Sequence, residues 1–142
     1  MRQNVVLSIR GKQSYPDQEP ETIELVTEGV LSSCADGWLL SYEESNLTGL
    51  EGVTTTFRIQ PKRITLSRTG KLNSQMVFEE GVFHDSLYQL EFGALYITVC
   101  ATRVRADISG EGGTVDLTYR IEIEQTACGT IEYHLAIRPK YE

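Results

Sequence analysis

Side chains that could perform acid–base or nucleophilic chemistry are few in this sequence of 142 residues. Acyl transfer requires a nucleophile, a base and a group that orients the base. The sequence has two histidines, His84 and His134, and no Gly-x-Ser-x-Gly motif. His134 shares the polar face of a predicted strand with Glu132 and Arg138, which is typical of a solvated histidine. No residue is therefore predicted to be catalytic.

Paired carboxylates and metal ligands also lack the required arrangement. Glu43 and Glu44 are adjacent, as are Glu79 and Glu80, and adjacent residues of a strand point to opposite faces. Acid–base catalysis by two carboxylates requires both to converge on one cleft. His84 and Asp85 are neighbours without a companion ligand, so no metal site is predicted, and no cofactor of any kind.

The charge and the cysteines restrict the partners and the compartment. The formal net charge is -7 and there is no Lys/Arg run, which argues against binding to nucleic acid or to an anionic membrane. No apolar stretch approaches the roughly 18 residues of a membrane helix, and the first residues do not resemble a secretory signal. Cys34, Cys100 and Cys128 have long, unequal spacings, so reduced thiols and a cytoplasmic location are predicted.

The clearest pattern in the sequence is an alternation of apolar and polar residues along Val115–Glu124. Because neighbouring side chains of a strand point to opposite faces, this pattern predicts a long strand with one dry face and one wet face. The alternation resumes over Ile131–Arg138, after a connector formed by Gln125–Thr130. Together the two segments predict an antiparallel hairpin.

A change of phase follows Ala101 in the preceding run, where the apolar residues move from odd to even positions. Such a slip predicts a β-bulge, which bends a strand as the closure of a barrel requires. This run and further segments, separated by Gly, Pro and Asp turn signals, complete a set of about ten strands. The run with the phase change is Gly93–Ala106, and the further segments are Asn4–Arg10, Glu21–Leu31, Gly37–Glu43, Thr54–Ile59, Arg63–Arg68, Asn73–Phe78 and Val82–Leu90.

The number of strands fits a sandwich or a barrel. Long successive strands with short links favour the barrel, so we expect an all-β chain that forms a single antiparallel up-and-down β-barrel of about 8–10 strands. One domain over residues 1–142 is expected, since domains commonly have about 100–150 residues. Gly11–Pro20 is interpreted as a loop or irregular crossover, and Ser45–Gly52 as a loop or one helical turn.

Short segments from Gly37 onward occur in a distinctive order. They are Leu40–Glu44, Thr54–Thr56, Ile64–Gly70, Met76–Gly81, Tyr88 with Phe92-Gly93, and the closing hairpin around Tyr119. In this order they resemble the YwiB-like proteins, a family of small uncharacterised bacterial β-barrels with a calycin-like (lipocalin-like) fold. The resemblance implies a barrel and no particular function. The family tends to have Thr-Pro-Tyr-Gly where this chain has Leu90-Glu91-Phe92-Gly93, so no role of that Thr or Pro is carried over.

Polar and aromatic residues on strand faces that turn inward are the candidate binding residues. Tyr119 lies within the apolar row of its own strand, so it is expected inside. Arg68 shares a face with Ile64 and Leu66, and it could pair with Glu44, bind an anion, or pack its stem at the rim. The rim arrangement, with the guanidinium in water, is favoured. The predicted site consists of Tyr42, Glu44, Arg68, Tyr88 and Tyr119.

Three functions are compatible with these observations. The first is a non-enzymatic barrel that binds a small, mostly apolar molecule, oriented by those few polar groups. The second is a structural or regulatory interaction module, with a homodimer as the expected assembly. The third, an enzyme, is the least favoured, because the sequence contains no recognisable pairing of a nucleophile with a base.

Overall fold

The computed structural model describes residues 2–45, 50–90, 93–124 and 126–140, without the side chains of residues 90 and 126–128. Within these ranges the chain forms ten β-strands and no helix. The strands are β1 (Arg2–Ser14), β2 (Glu21–Cys34), β3 (Gly37–Glu43), β4 (Val53–Gln60), β5 (Arg63–Gly70), β6 (Ser74–Phe78), β7 (Phe83–Leu90), β8 (Gly93–Ser109), β9 (Gly112–Ile123) and β10 (Thr126–Pro139).

The ten strands form one antiparallel sheet in the order β6-β5-β4-β3-β2-β1-β10-β9-β8-β7. Except at the β1–β10 pair, neighbours in the sheet are consecutive in the chain, which is an up-and-down connection. Two isolated bridges join the ends of the sheet: Asn73 to Gln89, and Glu80 to Ala101. The result is a nearly closed barrel, which confirms the predicted fold class rather than the sandwich.

The predicted bulge lies on β8. Ala101 pairs with Tyr119 of β9, and Arg103 pairs with Thr118, so Thr102 is the extra residue. Ile97 and Val99 are buried before the bulge, and Val104 packs against the core after it. The phase change in the sequence therefore reports a real shift in the strand register.

Two strands extend beyond their predicted bounds. Residues 11–14 were expected in a loop, but β1 continues to Ser14, because Gly11 pairs with Ile23 on one side and with Tyr133 on the other. Backbone hydrogen bonds to both neighbours outweigh the low strand propensity of glycine. Most of the predicted 125–130 connector likewise belongs to β10, with a bulge between Ala127 and Gly129. Gln125, residues 46–49 and residues 91–92 lie outside the described residues.

One end of the barrel is filled by large side chains. This packed end is formed by the starts of odd-numbered strands and the ends of even-numbered strands, as the antiparallel pairing requires. Side chains there are at most 2% exposed, and include Val5, Leu7, Leu31, Leu40, Phe57, Ile64, Leu66, Phe78, Val99 and Leu135. Burial of this apolar surface is the main source of stability for the fold.

Replacement of Phe57 by alanine should lower the free energy of unfolding by about 3–5 kcal/mol, because the ring is 1% exposed and its removal leaves a cavity. Urea denaturation measures the loss. Arg58→Ala is the control, since Arg58 points outward and forms an exposed ion pair with Asp36, for which a cost below about 1 kcal/mol is expected. Equal losses in the two variants would contradict the assignment of faces on β4.

Candidate functional site

The opposite end of the barrel contains a partly open cavity of about 350 Å³. All five residues of the predicted site line it: Tyr42, Glu44, Arg68, Tyr88 and Tyr119. Most of the remaining wall is apolar, and includes Ile9, Leu25, Met76, Ile97, Ile121 and Ile131. Residues from distant parts of the sequence are therefore brought to one site by the closure of the sheet.

The cavity exists because small and polar residues replace large apolar ones along the inward row of β1. Val5, Leu7 and Ile9 are buried, whereas the next inward positions are Gly11 and Gln13. Apart from Gly11 and its two neighbours in the chain, no described residue has an atom within 4 Å of the position that a Cβ would take at Gly11. The absence of a side chain at this position leaves open space inside the barrel.

The Arg68 side chain turns into this space. Its Nη1 donates a hydrogen bond to the Tyr88 hydroxyl at 3.2 Å, and its Nε is shielded from solvent without a hydrogen-bond partner among the residues that the structure describes. The sequence favoured a guanidinium that reaches water at the rim, whereas in the structure the side chain is partly buried and its guanidinium hydrogen-bonds to Tyr88. Acceptors inside the barrel outweigh the tendency of the side chain to extend outward.

Four tyrosines surround the guanidinium and determine its electrostatic environment. Burial by itself lowers the pKa of Arg68, but Tyr88, Tyr133, Tyr119 and Tyr42 raise it above its ordinary value. An arginine side chain is not deprotonated in proteins. The cavity therefore holds a fixed positive charge.

The tyrosines themselves are neutral hydrogen-bonding groups. Burial raises the pKa of Tyr42, Tyr119 and Tyr133 above the ordinary value of 10.0. The Tyr42 hydroxyl hydrogen-bonds to Tyr133. The Tyr119 ring packs against Phe78 with centroids 4.5 Å apart, which anchors this part of the wall to the packed end.

Glu44 follows β3 and is held on the wall of the cavity with 8% of its surface exposed. The Thr55 hydroxyl, fully buried on β4, donates a hydrogen bond to Glu44 Oε2 at 2.5 Å. The Glu44 amide also donates to the Val53 carbonyl at 2.9 Å. These bonds fix the carboxylate on the β3–β4 side of the barrel.

Sequence reasoning missed Tyr133, Gly11 and Gln13, which also line the cavity. Tyr133 belongs to the same apolar row as Ile131 and Leu135, and this row was the available signal. Gly11 and Gln13 were missed because their segment was interpreted as a loop. Gly11 and Gln13 become apparent only when β1 is recognised as the strand between β2 and β10.

The two histidines lie outside this site. His134 is on the exposed face of β10, as predicted, with its Nδ1 2.6 Å from Asp116 Oδ1. His84, on β7, has its Nε2 3.0 Å from Glu79 Oε1.

Among the described residues, no three His, Cys, Asp or Glu side chains are grouped to hold a metal ion. No helix there has the length and hydropathy to cross a membrane.

Alkaline pH should destabilise the protein through its buried tyrosines. Above about pH 10 the unfolded chain loses tyrosine protons that the folded chain retains, so the free energy of unfolding falls as the pH rises. In Tyr119→Phe, the fall between about pH 9 and about pH 11 should be smaller by about 1 kcal/mol, measured by urea denaturation. A fall of unchanged size in this variant would contradict the burial of the Tyr119 hydroxyl.

Comparisons with known proteins agree with the fold. A family model described as "Domain of unknown function (DUF1934)" matches residues 7–137. The crystal structure of the ywiB protein from Bacillus subtilis superposes with a TM-score of 0.83, covering 99% of this chain and 94% of that chain at 18% identity. At this identity the likeness establishes the barrel fold alone. The search of curated proteins found no match.

Proposed function

The chain belongs to the DUF1934 family, and we propose that its barrel binds a small, mostly apolar molecule in the cavity. The observation that carries this proposal is the cavity of about 350 Å³ left inside a barrel whose other end is packed. Small-molecule sites are concave, mostly apolar and supplied with a few convergent polar groups. The Arg68 guanidinium, the Glu44 carboxylate and the tyrosine hydroxyls are such groups.

The volume of the cavity limits the size of the ligand. A water molecule occupies about 30 Å³ in the liquid, so the cavity holds about a dozen groups of similar size. This corresponds to an eight- to ten-carbon molecule with a small polar head. A cytoplasmic location is part of the proposal, and the free thiols of Cys34 and Cys100 support it.

Substitution of Gly11 tests whether such a molecule occupies the cavity. We expect saturable binding of 1-octanol, octanoate or both, measured by calorimetry. Gly11→Leu should weaken it at least about ten-fold, because the new side chain occupies the open space next to Gly11 and overpacking costs about 1–3 kcal/mol. The fold should tolerate the change, since the position of the new Cβ is unobstructed.

Lys12→Leu is the matched control for that experiment. It adds the same side chain one residue later on β1, where Lys12 is exposed and forms only a weak surface contact with Glu132. Binding by this variant should equal that of the wild type. The proposal fails if neither ligand binds the wild type, or if Gly11→Leu binds as well as Lys12→Leu.

Self-association is a second candidate, favoured by exposed apolar side chains on β7 and in the turn before it. Phe83 is 69% exposed, Leu87 52% and Val82 42%. A two-fold axis beside this face would place it against the same face of a second copy, as homodimers commonly do. Wild-type protein should then sediment as a dimer.

Phe83→Ser should sediment as a monomer because it removes the largest exposed apolar side chain of this face. Val26→Ser, which changes an exposed apolar residue of β2, should remain dimeric. A monomeric wild type at micromolar concentrations, or dissociation caused equally by both substitutions, would exclude dimerisation through β7.

A further inference from the structure

We propose that the ligand of the cavity carries a single carboxylate, which Arg68 binds, on an apolar chain held by the rest of the wall. The inference rests on the proposed function and specifies the class of its ligand. It follows from four properties of the site: unused donors on the guanidinium, a positive charge without an ion pair among the described residues, a second charged group that limits how many negative charges can enter, and the direction of the cavity.

The donors of Arg68 exceed its acceptors. A guanidinium has five N–H donors in a planar fork. Its partners among the described residues are the hydroxyls of Tyr88 and Tyr133, while Nε is shielded from solvent and unpartnered. A buried donor without an acceptor costs free energy, more so on a charged group. A carboxylate satisfies Nε and a terminal nitrogen together, through two parallel hydrogen bonds.

The positive charge of Arg68 would be stabilised by a counterion in the cavity. None of the ion pairs within the described ranges involves Arg68. The groups around it are tyrosine hydroxyls, which solvate a cation less well than water does. The guanidinium is already partly desolvated in the folded protein, with its Nε shielded from solvent. Part of the free-energy cost of burying the cation therefore does not have to be met again when an anion binds.

The number of charges favours a monoanion over a dianion. The Glu44 carboxylate lines the same cavity and is fixed there by Thr55. A phosphate monoester would bring two further negative charges to a site with one guanidinium, and like charges repel strongly in a partly buried site. A carboxylate brings one.

The head of the ligand points inward. Ile23 and Leu95 line the cavity with 40% and 38% of their surfaces exposed, so they mark its mouth. Arg68 Nε lies deeper, since solvent does not reach it. The carboxylate therefore enters first, and the apolar chain extends between Ile97, Ile121 and Ile131 towards the mouth.

Three eight-carbon ligands of matched length test the proposal on the wild-type protein. Calorimetry near neutral pH compares octanoate, 1-octanol and octylammonium. We expect octanoate to bind at least about ten-fold more tightly than 1-octanol, and octylammonium to bind most weakly. Tighter binding of octylammonium would assign the charge preference to Glu44 and overturn the proposal, as would equal binding of octanoate and 1-octanol.

A variant of Arg68 tests whether this residue causes the preference for octanoate over 1-octanol. In Arg68→Met, which retains an apolar stem, octanoate should lose its advantage over 1-octanol while 1-octanol still binds. Arg58→Met is the control, because it removes an exposed arginine from the outer face of β4 and should leave the preference intact. An advantage retained in Arg68→Met would overturn the role of Arg68.

The two proposals fail in different ways. Binding of 1-octanol without any preference for octanoate overturns the carboxylate proposal and leaves the binding function standing. Binding of none of the three ligands overturns both. If Arg68→Met does not fold, the comparison of the three ligands on the wild type still decides the question.

Discussion

The inward row of β1 divides the barrel into a packed end and an open end. Because side chains alternate along a strand, β1 contributes one row to the interior, and this row passes from Val5 and Leu7 to Gly11 and Gln13. β1 lies between β2 and β10 in the sheet, and its pairing with β10 joins the first strand of the chain to the last. The small side chains at the end of this row therefore leave open space between β2 and β10, near the middle of the sheet.

The open end accommodates groups that the packed end would exclude. A guanidinium surrounded by aliphatic side chains would cost several kcal/mol in lost hydration. At the open end four tyrosines and a partly open cavity reduce that cost, and leave Arg68 charged and only partly hydrogen-bonded. The carboxylate that we propose as a ligand would supply the hydrogen-bond acceptors that this guanidinium lacks.

Much of the fold could be predicted from the sequence, because alternation is a local property. The rows of β9 and β10 and the phase slip at Ala101 were sufficient to predict long antiparallel strands, a bulge and a barrel. The end of β1 was not predicted, since Gly11 has low strand propensity and is held by long-range pairing. Pairing between distant strands is set by the tertiary structure and leaves no local pattern.

Part of the lining of the cavity was predictable from the sequence, but the arrangement of its side chains was not. Strand parity indicated correctly that Arg68 and Tyr119 face inward, and the five predicted residues line one cavity. Strand alternation predicts the face on which a side chain begins but not the direction in which a long side chain extends. The turn of the guanidinium towards Tyr88 was therefore missed. Tyr133 was missed because a tyrosine within an apolar row is equally consistent with a packed core.

Methyl NMR with isoleucine labelling tests the central claim most directly, because isoleucines occur in both halves of the barrel. During titration with octanoate, the signals of cavity residues Ile97, Ile121 and Ile131 should shift in a saturable way. Those of Ile59, Ile64 and Ile137, buried away from the cavity lining, should remain in place. The absence of any saturable shift, or shifts confined to isoleucines outside the cavity, would contradict a ligand site at the open end of the barrel.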